Sequence, residues 1–130
     1  MINSTPDVKS LIPSLNNVGT YYLFCDSMVE KASRLKITVL RRFAPEEVLD
    51  TKYKGGATSA CSIYEDGQVF YVEERGRMPE GFCGGAWDDL YKVVQTLRFN
   101  GNFTWFGDPG VSVSCCTDGL RPVIFKIERV

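Results

Sequence analysis

The chain has no histidine among its 130 residues. A Ser-His-Asp triad or a Cys-His pair therefore cannot form within it, and imidazole cannot ligate a metal. Any general acid or base must be Asp, Glu, Lys, Tyr or Cys. Neither G-x-x-x-x-G-K-[ST] nor G-x-G-x-x-G occurs, so no phosphate-cradling loop is indicated. C-x-x-C is missing as well, which removes the zinc-ribbon and thioredoxin patterns. No segment approaches the ~18–20 consecutive apolar residues of a membrane helix. Met1 to Asn17 is polar, contains Pro6 and Pro13, and lacks a basic stretch followed by an apolar one, so no signal peptide is recognisable. The compartment expected by default is the cytoplasm, where thiols stay reduced. Excess charge is lacking too: a formal net charge of −1 argues against bulk electrostatic binding to nucleic acid or to an anionic membrane. Lys31 to Lys54 holds seven basic residues against three acidic ones, which a solvated strand face explains.

What remains is an ordinary globular composition, 44% hydrophobic and 24% charged. A chain of this length forms one domain, or one domain with a tail, and buries enough surface to need no disulfide staples. The odd count of five cysteines also fits poorly with a pure disulfide framework.

Residues 1–33 read as an N-terminal extension and residues 34–130 as a single α+β domain. Met28 stands just before the first strong strand and could itself be a start site. Within the extension, Tyr21-Tyr22-Leu23-Phe24-Cys25 is the only apolar cluster and could dock as an edge strand. Leu35 to Phe43 reads as a strand, with Leu35, Ile37 and Val39 on one face and Lys36, Thr38 and Leu40 on the other. Pro45, Glu46 and Glu47 suit the first turn of a short helix. Lys54 to Ala57 is a loop, and a second strand is expected over Gln68 to Glu74. The principal helix is expected over about 86–98, with Trp87, Leu90, Tyr91, Val94 and Leu97 as its apolar stripe and Asp88 and Asp89 in its first turn. Two strands, Val111 to Cys116 and Pro122 to Val130, then form an antiparallel hairpin. The expected architecture is a mainly antiparallel sheet with this one helix packed on a face.

Leu35-Lys36-Ile37-Thr38-Val39-Leu40, Pro79 to Asp89, Leu97 to Asn102, and Cys115 to Lys126 occur in this order. On these stretches the chain resembles an uncharacterised repeat protein family of small prokaryotic proteins, over roughly residues 35–130. The resemblance implies a shared fold and a cysteine arrangement touching Cys61, Cys83 and Cys116, with Trp87 beside it. It implies no activity.

Cys83 has the strongest local chemistry. It precedes the helix, where free backbone N–H groups and the dipole favour a thiolate, although Asp88 and Asp89 oppose this. The alternative is a small buried hydrophobe at a helix start. Cys115 and Cys116 are neighbours in a strand and must point to opposite faces. By alternation Cys115 goes with Val111 and Val113, and Cys116 with Ser112 and Ser114. If the valines pack on the helix, Cys115 is core. The resemblance instead joins Cys116 to the site, which implies Cys83 and Cys116 on one face, Cys61 nearby and Cys115 pointing elsewhere. Three such thiolates suit zinc or an iron–sulfur cluster with a position left open.

Near these motifs Asp88, Asp89, Asp118 and Arg121 are candidate acids, bases or ion-pair partners, or plain helix-start and turn residues. Seven of the sixteen aromatics lie between Phe82 and Phe106. Trp87, Phe103 and Trp105 could line an apolar pocket beside Cys83, or form a core lid or a subunit contact. The leading expectation is thus a thiol-bearing domain binding a metal or cluster through Cys61, Cys83 and Cys116 and supporting a partner enzyme. The alternative is a non-catalytic binding or assembly module that uses its aromatic surface toward itself or a protein partner, with structural cysteines. Whether the chain is an enzyme is left open by its residues.

Overall fold

The computed structural model describes residues 32–49 and 55–130. The aromatic–cysteine cluster at 21–25 and the Met28 start lie outside the described residues. The described part belongs to one compact unit, Ala32–Val130. In chain order its elements are β1 (Leu35–Arg42), α1 (Pro45–Val48), β2 (Val69–Val72), α2 (Gly84–Arg98), β3 (Val111–Cys115) and β4 (Val123–Arg129).

The four strands form one antiparallel sheet in the order β2-β1-β4-β3. Strand β1 is central because alternation buries Leu35, Ile37 and Val39 while both of its edges are hydrogen-bonded, to β2 and to β4. The pairing with β4 shifts between Val39 and Arg41, so Leu40 is the extra residue and stands exposed. Strand β2 is shorter than Gln68 to Glu74, yet Phe70 and Val72 face inward as their alternation requires. Helix α1 is a single turn closed by Glu47, whose carboxylate accepts the Ala44 N–H at 2.8 Å. That bond and the Arg41 guanidinium hold the Glu47 carboxyl below its ordinary range.

Helix α2 lies on the inner face, against β3, β4 and β1. It begins two residues before Ala86, at Gly84. Asp88 and Asp89 therefore sit in its second turn, not its first, and act less on the positive end than their expected position implies. Its buried face is Ala86, Leu90, Val93, Val94 and Leu97. The expected stripe named Leu90, Val94 and Leu97 correctly, but Tyr91 is exposed and Trp87 only partly buried. At about 100° per residue, Ala86 and Val93 fall nearer the Leu90–Leu97 line than Trp87 or Tyr91 do. The far end of α2 is tied down by two residues, through three hydrogen bonds. Arg98 O accepts the Ser33 N–H at 2.9 Å, and Arg129 donates to Leu97 O and Gly101 O at 3.1 and 2.7 Å. The Arg98 guanidinium is itself buried, donating to Gln95 Oε1 and to Glu74 O. Among the described residues, no helix is long and apolar enough to cross a membrane.

Candidate functional site: a thiol-lined cavity

The aromatic core under the near end of α2 sets the geometry. Tyr64, 2% exposed, meets Phe70, Phe82 and Phe125 edge-on, with ring centroids 5.8, 5.4 and 5.2 Å away. Its hydroxyl accepts the Cys83 N–H at 3.0 Å. Cys83 is the N-cap residue of α2 but makes no side-chain cap, so its sulfur is not committed to the helix backbone. Burial pushes the Tyr64 phenol up to about 12, the Cys83 N–H opposing and the three thiols of Cys83, Cys61 and Cys116 adding to the rise. The phenol is therefore neutral at physiological pH, and among the described residues its own proton has no acceptor.

Cys116 follows β3 directly. Its N–H still donates to Val123 O at 3.2 Å, and its Sγ accepts the Val123 N–H at 3.4 Å. Cys61 arrives from the segment before β2 and is held to β1 through its carbonyl, which accepts from Arg42 at 3.0 Å. The hairpin loop is fastened on the other side. Asp89 accepts the Thr117 N–H at 2.7 Å, while Asp118 accepts the backbone N–H groups of Leu120 and Arg121, both at 3.1 Å. These bonds, joined by Arg121 Nε at 3.2 Å, keep the Asp118 carboxyl below its ordinary range. The loop is an Asx-type turn, which explains why Asp stands at its head.

These pieces enclose a cavity of about 150 Å³ walled by Cys61, Cys83 and Cys116, with Ile63, Tyr64 and Ala86 at its apolar side and Asp89, Asp118 and Arg121 at its polar side. All three cysteines are free thiols and part-buried, whereas Cys115 is free, exposed and absent from the cavity wall. Asp88 is exposed and does not line it either.

Strand β3 answers the condition on which the place of Cys115 turned. The valine face does not pack on the helix: Val113 is 42% exposed and Ser112 only 5%. Register is the reason, since Ser112 lies opposite Ile127 and Ser114 opposite Phe125, both buried core residues, and paired positions share a face. Cys116 continues the serine parity and so emerges on the helix side.

The aromatic trio lies apart from this cavity. Trp87, Phe103 and Trp105 do not line the thiol cavity. Trp87 is turned about 100° around the helix from Ala86 and packs edge-on against Phe82 and Tyr91, with ring centroids 6.0 Å away in each case. Phe103 and Trp105 follow the far end of α2, roughly 20 Å of helix from Cys83, and stack on each other at 5.0 Å. Tyr64 is the residue that sequence reasoning missed. It lies three positions after Cys61, and only the tertiary packing brings it to Cys83.

Among the described residues, no group of three or more Cys, Asp or Glu side chains stands ready to hold a metal ion. Cys61, Cys83 and Cys116 line one cavity but do not form such a group. The Val123 N–H on Cys116 Sγ is one restraint that holds a sulfur back. Searched against protein-family models, curated proteins and solved structures, the chain finds no match. The site therefore stands on this chain's own geometry.

Proposed function

We propose that this domain binds a soft metal ion through Cys61, Cys83 and Cys116. The observation that carries the proposal is the cavity of about 150 Å³ on which these three reduced thiols, drawn from three separate segments, all open. Thiolate donors without imidazole select thiophilic ions, and a change of χ1 at each cysteine moves its sulfur within the cavity. Ligation requires the thiols to deprotonate, so binding releases protons and strengthens as pH rises. Between the two expected occupants, zinc fits better than an iron–sulfur cluster. Clusters are commonly held by four cysteines, and Cys115 faces away from the cavity. Zinc on three protein ligands keeps one open position, as in sites that bind or pass on a further ligand. Support of a partner enzyme by metal delivery belongs to the same proposal. The test is elemental analysis with an ultraviolet–visible spectrum of anaerobically purified protein, followed by zinc titration. One zinc per chain in the parent and in Cys115→Ser, and none in Cys83→Ser, is expected. Substoichiometric metal with a featureless spectrum, or zinc retained by Cys83→Ser, sinks the proposal.

A second reading, a non-catalytic binding or assembly surface, is favoured by one observation. Trp105 is 80% exposed and Phe99 56%, in the segment that follows α2. On that reading the cysteines are structural and the aromatic segment meets a protein partner or a second copy.

A further inference from the structure

We infer that the same cavity captures trivalent arsenic or antimony in the hydroxide form, and takes it in preference to a divalent ion. The inference rests on the proposal that Cys61, Cys83 and Cys116 act as one ligand set.

Donor number is the first argument. The cavity offers three sulfurs, and no fourth cysteine lines it. Four-coordinate zinc must take water or a further ligand as its fourth donor, whereas a trivalent pnictogen carries a lone pair and is saturated by three sulfurs in a pyramid. Charge is the second. The polar wall already holds two carboxylates, Asp89 and Asp118, against the single guanidinium of Arg121, and that guanidinium is paired with Asp118. Three thiolates around a divalent ion would add a further net negative charge beside them, and the α2 N-terminus offsets this only at Cys83. Arsenic on three thiolates is neutral, so binding it adds no charge to a part-buried site. Space is the third. At about 150 Å³ the cavity exceeds the ~30 Å³ share of one water several-fold, so the uncharged hydroxide can enter and water can leave.

The chemistry balances without an oxidant. As(OH)₃ reacts with three thiols to give As(S-Cys)₃ and three waters. Three As–O bonds break and three As–S bonds form. Each thiol proton departs on a released hydroxide, and arsenic remains trivalent throughout.

The experiment uses the full chain, reduced with a phosphine, and sodium arsenite at neutral pH. Intact-mass spectrometry should show a gain of one arsenic less three hydrogens, and zinc-loaded protein should release its zinc to a chromophoric chelator as arsenite is added. Cys115→Ser should behave as the parent. Cys61→Ser, Cys83→Ser and Cys116→Ser, each checked for folding by circular dichroism, should bind arsenite more than about a hundredfold more weakly, beyond the 10–100-fold that loss of a merely supporting residue costs. Zinc binding without an arsenic adduct overturns this inference alone. An arsenic adduct in a chain that never takes zinc upholds it and overturns the zinc reading. Binding of neither overturns both, and an adduct that persists in the three serine variants overturns the shared ligand set.

Discussion

Replacing Tyr64 by Phe isolates one hydroxyl that links the aromatic core to the thiol cavity. The ring would keep its edge-on contacts with Phe70, Phe82 and Phe125, so packing is unchanged to first order. The Cys83 N–H would lose its acceptor at 3.0 Å. An unpaired, part-buried donor costs about 1–3 kcal/mol. Against this, a buried hydroxyl whose own proton lacks an acceptor among the described residues is removed, which returns a similar sum at the low end. The expected net loss at neutral pH is about 1 kcal/mol, a fall in Tm of roughly 4–8 °C for a domain of this size. Tyr64→Ala, which empties the ring site, should cost about 3–5 kcal/mol.

The pH dependence gives a sharper signature. The folded phenol titrates at about 12, above its ordinary value of 10. Below the unfolded value the stabilisation is fully present. Between the two values the unfolded chain releases a proton that the folded chain retains, so stability declines as pH rises through the folded value. The slope for one group approaches ~1.4 kcal/mol per pH unit. The parent should therefore exceed Tyr64→Phe in stability by about 1 kcal/mol at neutrality and lose that lead near pH ~11, the difference reversing sign above it. Urea melts of both proteins from pH 7 to 12, in phosphine reductant, measure it. Subtraction removes the other tyrosines and lysines. A pH-independent difference refutes the burial of the hydroxyl, and equal stability at neutral pH refutes a net contribution from its hydrogen bond.

Two further outcomes test the geometry around that pair. Cys115 is exposed while Cys61, Cys83 and Cys116 are part-buried, so brief alkylation of folded, reduced protein should label Cys115 first among these four by peptide mapping; earlier labelling of Cys83 would contradict the exposures. Trp105 is 80% exposed and stacks only on Phe103 among the described aromatics. Trp105→Ala should lower stability by about 1 kcal/mol or less while reducing self-association or partner binding in light scattering; a loss above about 3 kcal/mol, typical of a core Trp→Ala change, would make Trp105 a core lid instead of a surface.

The α+β class and the strand order along the chain were legible because each strand alternates cleanly and the helix carries a 3.6-residue stripe. The faces of β3 were not legible. Val111, Val113, Ser112 and Ser114 present a valine row and a serine row, and hydrophobicity alone sends the valines inward. The register with β4 decides otherwise, placing the serines opposite Ile127 and Phe125. Register is a property of two strands, and neither strand states it by itself. The same holds for the site. The cysteine spacings of 22 and 33 residues are uninformative alone, yet three segments deliver Cys61, Cys83 and Cys116 to one cavity.

Why these three and not Cys115 follows from the same register. Once Ser112 and Ser114 face the helix, parity carries Cys116 to that side and turns Cys115 away. The helix then begins over the strand end, because Gly84 and Gly85 extend α2 two residues beyond the sequence expectation and Ala86 is small enough to sit in the core. The Asp118 turn and the Asp89–Thr117 bond hold the hairpin loop against that helix end. Tyr64 fixes the Cys83 backbone from below. Cys61 and Cys83 are thus anchored through their backbones, and Cys116 through both its backbone and its sulfur. None of these three is fully buried, and each packs its part-buried side chain against the hydrophobic core.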